Sequence, residues 1–251
     1  MTLVDARVAG LRRALADGAD PKTKAWFEAY LKGAIPYRGL KTPEVARHLE
    51  SWALAEGVWE LDHDAQLAHA EALAKGAHAE DKFAAFLILQ RLVRRRSPAE
   101  GILAFAEGLF RDELVPDWST NDWLCVRALG PLLARDGRPV AERLAGWRQA
   151  DGLWQRRSSI VPFRSVTRDP AFHGDIEAAV DALVADPRRF IQTGIGWVLA
   201  DLARHAPERA TRLVERHLER LDREVIDRHT KRLPRHAAYR AAKRTHRPPR
   251  R

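Results

Sequence analysis

Two short segments place a tryptophan one helical turn from a charged residue. In Asn121-Asp122-Trp123-Leu124-Cys125-Val126-Arg127, Trp123 and Arg127 stand four apart, so on a helix they share a face. The apolar stripe of that helix, Cys125, Ala128, Leu129, Leu132 and Leu133, lies on the other side. In Phe190-Ile191-Gln192-Thr193-Gly194-Ile195-Gly196-Trp197-Val198-Leu199, the stripe is Ile191, Ile195, Val198 and Leu202. Trp197 points away from it, on the side of Asp201 and Arg204. Outward indoles can draw cations onto their faces or stack on bases and sugars. The ordinary alternative, packing between adjacent helix pairs, is open to each ring. Trp26, Trp52, Trp59, Trp118, Trp147 and Trp154 read as packing residues of that kind.

Three carboxylates lie near these rings in sequence: Asp117, Asp122 and Asp201. Asp117 and Asp122 also suit a helix start, where the dipole favours acidic groups. Asp201 could simply pair with Arg204. Basic residues are plentiful, in the run Arg91-Leu92-Val93-Arg94-Arg95-Arg96 and the series Arg138, Arg143, Arg148, Arg156, Arg157, Arg164 and Arg168. They could contact a phosphate backbone or form a solvated face paired with Glu100, Glu142 and Asp151. No metal site is expected, since the ten histidines show no paired ligand spacing. The single Cys125 falls on an apolar stripe, which suits a buried thiol better than a nucleophile. No glycine loop of the phosphate-cradling kind occurs, and no cofactor is expected. Gly194 and Gly196 sit inside a helical pattern, where close approach of a helix or a ligand explains them.

The elements that must carry these residues are helices. Alanine, leucine, arginine and glutamate dominate, alternating β-branched runs are missing, and short Pro/Gly/Asp breaks punctuate the chain. The pattern predicts helices near 3–17, 21–32, 43–55, 64–74, 81–93, 98–110, 120–135, 139–147, 153–163, 175–185, 187–205, 207–221 and 229–243. Pro43, Pro98, Pro139, Pro187 and Pro207 fall in first turns, where a missing N–H costs nothing. Short helices with short connections, paired at roughly 40 residues, predict an all-α solenoid of HEAT-like repeats with a concave groove. A globular helical bundle is the alternative.

At 251 residues, 45% hydrophobic and 31% charged, the chain can bury a core. It has no apolar run of membrane-spanning length and no signal-peptide core at its start, so an intracellular protein is expected. The net charge of +9 is concentrated at one end. The segment 231–251 carries Lys231, Arg232, Arg235, Arg240, Lys243, Arg244, Arg247, Arg250 and Arg251 without an acidic residue, whereas residues 1–230 balance 34 basic against 34 acidic side chains. The expected organisation is a helical-repeat domain over 1–230 and a basic C-terminal tail over 231–251. Such a tail favours polyanions or is merely solvated.

Four segments together resemble the AlkD-like DNA alkylation repair glycosylases, which are HEAT-like solenoids. Tyr30-Leu31-Lys32-Gly33-Ala34-Ile35-Pro36-Tyr37-Arg38-Gly39-Leu40-Lys41-Thr42-Pro43 resembles that family's entry loop. Ser119-Thr120-Asn121-Asp122-Trp123-Leu124-Cys125-Val126-Arg127 resembles its Asn-Trp-Asp-x-Val-Asp helix. Leu153-Trp154-Gln155-Arg156-Arg157-Ser158-Ser159-Ile160 resembles Trp-x-x-Arg-x-Ala-Ile, and Phe190–Leu199 resembles Phe-Ile-x-Lys-Ala-Ile-Gly-Trp-x-Leu. Order and spacing agree over roughly residues 20–210.

The resemblance implies a groove for damaged duplex DNA and release of N3- and N7-alkylated purines. It makes Trp123 and Trp197 the aromatics beside the lesion and Arg157, with Arg156 next to it, DNA contacts. The family's aspartate, four residues after the first tryptophan, is Arg127 here. Cleaving an N-glycosidic bond leaves positive charge on the sugar, which a carboxylate stabilises. Arginine has no acceptor and does not deprotonate, so the usual mechanism is weakened or absent if Arg127 fills that place. Asp122, Asp117 or Asp201 could supply a carboxylate from a shifted position. The expectation is a monomeric DNA-binding protein of the cytoplasm, nucleoid-associated when bound, and possibly a glycosylase. The alternatives are a catalytically silent binder of damaged or branched DNA and a helical-repeat scaffold for another protein.

Overall fold

The computed structural model describes residues 2–245, and these form helices and connecting turns with no strand. The all-α helical-repeat expectation therefore holds. The chain divides into two compact units, residues 1–131 and 132–251.

The first unit contains α1 (Leu3–Asp17), α2 (Pro21–Leu31), α3 (Thr42–Ala55), α4 (His63–Ala74), α5 (Ala79–Arg94), α6 (Ala99–Arg111) and α7 (Trp118–Leu124). Aspartates start several of these helices by accepting otherwise orphaned backbone N–H groups. Asp20 accepts from the Thr23 N–H at 2.9 Å and Asp62 from that of Ala65 at 2.8 Å. The second helix also begins on Pro21, whose missing donor is not needed there.

Helix α5 is the centre of the unit and packs against α3, α4 and α7. Phe86, Ile88, Leu89 and Leu92 are buried along it, each contributing about 1.5–3 kcal/mol of apolar transfer. Its first turn is buried and charged, and every charge has partners. Glu80 accepts from the backbone N–H groups of Arg38, Gly39 and Leu40 at 2.8–3.1 Å. Asp81 pairs with Arg38 at 3.0 Å, and Lys82 donates to the Ala74 carbonyl at 2.7 Å. These bonds fix the 36–40 loop, the segment that resembles the family's entry loop.

The second unit holds α9 (Arg138–Gly146), α10 (Leu153–Ser158), α11 (His173–Leu183), α12 (Arg189–His205), α13 (Pro207–His217), α14 (Arg223–His229) and α15 (His236–Thr245). Between α7 and α9, α8 covers Gly130–Asp136. Helix α12 is the centre of this unit and touches α10, α11, α13, α14 and the 3₁₀ turn Val161–Val166. Two of its glycines let neighbours approach. A Cβ on Gly196 would stand 2.5 Å from His229 Cδ2 and 3.1 Å from Val225 Cγ1, both on α14, and one on Gly194 would stand 3.0 Å from Arg157 Nη1. Close approach is what the sequence pattern predicted for both.

Several element boundaries differ from the sequence expectation: the helix expected over 187–205 begins at Arg189, leaving Pro187 outside it, and the one expected over 207–221 ends at His217. The helix expected over 153–163 stops at Ser158 and continues as the 3₁₀ turn, because Pro162 cannot donate to an α-helical ladder. The run expected as one helix over 120–135 contains a π turn at Cys125–Leu129. The segment expected as helix over 229–243 is split, with α14 ending at His229 and α15 beginning at His236.

The described part of the basic segment, residues 231–245, is folded. Leu233 and Tyr239 are buried. Arg235 pairs with Glu215 at 2.6 Å and Arg240 with Asp227 at 2.7 Å, while Lys243 donates to the Glu219 carbonyl at 2.8 Å. Lys231 and Arg232 are exposed, and Arg244 lies in the last turn of α15. Two of the described tail charges, Arg235 and Arg240, are thus paired with carboxylates outside the tail. Arg247, Arg250 and Arg251 lie outside the described residues.

Candidate functional site

Trp123 projects from α7 and is half-buried. One side of its indole rests on Phe83 of α5, with ring centroids 4.9 Å apart. The Arg127 guanidinium lies over the same ring system, 4.6 Å from its centroid. No carboxylate among the described residues pairs with Arg127. The site is therefore an aromatic surface with an uncompensated cation on it.

The π turn orients this pair, and its cause is legible. An α-helical bond to the Arg127 carbonyl would have to come from residue 131, which is proline and has no N–H. The Pro131 ring would also strike that carbonyl in a regular helix. Widening the turn at Cys125–Leu129, closed by the Gly130 N–H on the Cys125 carbonyl, removes the conflict. Cys125, Ala128, Leu129, Leu132 and Leu133 all remain buried, as the apolar pattern predicted. Single π turns within helices recur at functional sites.

Trp197 projects from α12 and is also half-buried. Its cation comes from elsewhere in sequence: Arg164, in the 3₁₀ turn, stacks 3.6 Å from the ring centroid. Asp201 accepts from Arg164 Nε at 2.6 Å and also pairs with Arg204 at 3.4 Å. The second site is thus a triad of indole, guanidinium and carboxylate, with the carboxylate shared by Arg204. Arg164 appeared in the sequence only as one arginine of a basic series, and nothing in the spacing linked it to Trp197.

The remaining sequence candidates occupy varied positions. Asp117 caps α7, accepting from the Ser119 and Thr120 N–H groups at 3.2 and 3.0 Å, which is the ordinary alternative foreseen for it. Asp122 is buried beside Asn121, whose side-chain amide donates to it at 3.5 Å. Arg157, expected as a DNA contact, is only 3% exposed. Its guanidinium donates to the Phe190 carbonyl and to Thr193 Oγ1, so it ties α10 to the first turn of α12 instead of facing solvent. Arg156 pairs with Asp186 at 3.0 Å. Asp186 also receives Arg188 at 2.6 Å, and these bonds, those of Arg188 first, hold its carboxyl down at about 2. Burial of the aromatics corrects one expectation: Trp52, Trp59 and Trp147 are buried, but Trp26 is 59% exposed and stacks on Tyr30, itself 57% exposed. Both sit on the outer face of α2, whose inner residue Phe27 stacks on Tyr37.

The model of a family described as DNA alkylation repair enzyme matches residues 11–244. The chain belongs to that family. Among solved structures, the chain is similar to a predicted DNA alkylation repair enzyme from Enterococcus faecalis, at 19% identity and a TM-score of 0.75. The match covers 86% of this chain and 97% of that one, and at this identity it shows a shared fold. A search of the curated proteins returns no match.

As a member of the DNA alkylation repair enzyme family, the protein has a role in DNA repair. Among the described residues of this family member, no helix is long and apolar enough to cross a membrane. None of its described histidine, cysteine, aspartate and glutamate side chains cluster as a metal site would require.

Proposed function

We propose that this family member binds alkylated duplex DNA in the cytoplasm as a monomer, and that Trp123 and Trp197 are its base- or sugar-stacking contacts. Arg127 meets a phosphate, and Arg157 acts indirectly by holding α12. One observation carries the reading: each unit presents a half-buried tryptophan with a guanidinium stacked on it, at the two positions that match the family's motifs. An arginine-covered indole suits the anionic, aromatic surface of DNA.

On this reading the protein recognises without cleaving at Trp123. The cation over that ring cannot stabilise positive charge on the sugar. Base excision is a second reading, favoured by Asp201. Its carboxylate lies one turn from Trp197 and is held by the arginine stacked on that ring.

The test uses methylated and unmodified duplexes of one sequence. Tighter binding of the methylated duplex, weakened by Trp123→Ala and by Trp197→Ala, supports recognition. Equal affinity for both duplexes, or affinity untouched by either substitution, defeats it. Release of 7-methylguanine that disappears in Asp201→Asn replaces silent recognition with the second reading.

A further inference from the structure

The arginine run that sequence reading left between backbone contact and solvated face lines a cavity. It lies in the first unit between α3 and the C-terminal half of α5, with a volume of about 380 Å³. Arg91, Arg94 and Arg95 contribute to its wall, against one acidic residue, Glu50. Trp59 forms another part of it.

These groups are arranged, not scattered. The Arg91 guanidinium lies over the Trp59 ring, 4.2 Å from the centroid, and Arg95 donates to the Trp59 carbonyl at 3.0 Å. Among the described residues, Arg91 and Arg94 enter no ion pair. Arg91 Nε and Trp59 Nε1 are buried donors without a partner. Burial lowers the proton affinity of Arg91, and Arg95 adds repulsion. A guanidinium nevertheless stays charged at neutral pH. Three guanidinium groups against one lining carboxylate, Glu50, leave a net positive charge that an anion relieves. A tetrahedral phosphoryl group offers enough acceptors for several guanidinium donors at once.

The volume says what else the ligand carries. A bare phosphate is the size of a few waters, at roughly 30 Å³ each, and would leave most of the cavity empty. Sites of about 300–1,000 Å³ hold whole small molecules. Leu49 and Leu87 give an apolar wall for a flat ring, and Gln90 and Glu50 supply a donor and acceptors for its edge. A paired duplex presents phosphates on the outside of a wide rod and cannot insert a base here. The nucleotide must be free or at the end of a strand.

We propose that this cavity is a nucleoside-phosphate site, with the phosphoryl group on Arg91, Arg94 and Arg95 and the base against Leu49 and Leu87. It does not depend on the tryptophan contacts.

Calorimetric titration of the full chain tests it with dAMP and with a short 5′-phosphorylated oligonucleotide, each against its unphosphorylated counterpart. At least one phosphorylated probe is expected to bind about tenfold or more tightly than its counterpart, an increment of about 1.4 kcal/mol. Binding of dAMP assigns the site to free nucleotide, and binding of the oligonucleotide alone assigns it to a strand end. Arg94→Glu, on an exposed position, should abolish the phosphate preference. Ala46→Trp, which fills the cavity without changing charge, should abolish binding of the same probe. Arg111→Glu, another exposed arginine, should change neither. No phosphate preference in the native chain overturns the proposal. So does a preference that survives both Arg94→Glu and Ala46→Trp, or one that Arg111→Glu removes equally.

Discussion

The two tryptophan sites look alike and are built differently. At Trp123 the cation comes from the same helix, four residues on, and stands without a carboxylate. At Trp197 it comes from a separate 3₁₀ turn and is paired with Asp201. The first arrangement keeps its charge for a ligand. The second spends its charge on internal order, so the ring and its arginine are held in one place. Surface and partly buried ion pairs add little net stability, but they fix geometry, and that is what the second site gains. Their supports differ in the same way. Trp123 depends on a proline-induced π turn within one helix, and Trp197 on close approach of α14 and α10 to α12.

The most severe way to break the contrast is to give the first site a carboxylate. Arg127→Asp should raise release of 7-methylguanine from methylated DNA by about 10²-fold, the scale of one well-placed electrostatic group. A fall from an existing activity would show that residue 127 does not occupy the position assigned to it. Next in size are the rings themselves. Trp123→Ala and Trp197→Ala should each weaken DNA binding by about 1–3 kcal/mol, as loss of a stacking partner does. An effect confined to one of them would make the other a packing residue.

Stability separates the supports. Gly196→Ala drives a methyl against His229 and should cost the fold about 1–3 kcal/mol in denaturant unfolding, the usual penalty of overpacking. An unchanged midpoint would mean that α14 is not held close to α12. Salt separates the cations. Arg127→Gln should lower the slope of log affinity against log salt by about 0.9, one phosphate contact, whereas Arg164→Gln should leave the slope alone because Arg164 is already paired with Asp201. Identical slopes for the two variants would remove the distinction drawn here.

The smallest effect concerns pH. Asp186 anchors Arg156 and Arg188 at the entry to α12, and its carboxyl is held at about 2, below the ordinary value of 3.8. A depressed acid stabilises the fold fully above its unfolded pKa and loses that contribution as pH falls toward the folded one. The melting temperature should therefore drop more steeply between pH 4 and pH 2 in the native chain than in Asp186→Asn. Parallel curves would show that the anchor contributes nothing.

Much of this was legible in the sequence, for identifiable reasons. Helix content followed from periodicity, because apolar burial repeats every turn, whereas Trp123 and Trp197, read as outward, are half-buried. The pairing of Trp123 with Arg127 was readable because both residues lie on one helix. The pairing of Trp197 with Arg164 was not, because 33 residues separate them and only folding brings them together. The π turn was readable in hindsight from Pro131, an imino acid within a helical run. Arg157 misled because a motif match carries a residue's type and not its exposure. The exposed Trp26 misled for the opposite reason, since large aromatics are usually interior.

Pro131 has one further consequence. A ring lacking an amide proton cannot be supplied with one by any ligand, so the chain has no regular helical alternative to relax into at Arg127. The local geometry is settled at folding, so on the proposed reading DNA docking need not wait for that turn to rearrange. Replacing Pro131 with alanine would open a second backbone state there and make arrival and rearrangement separate kinetic events.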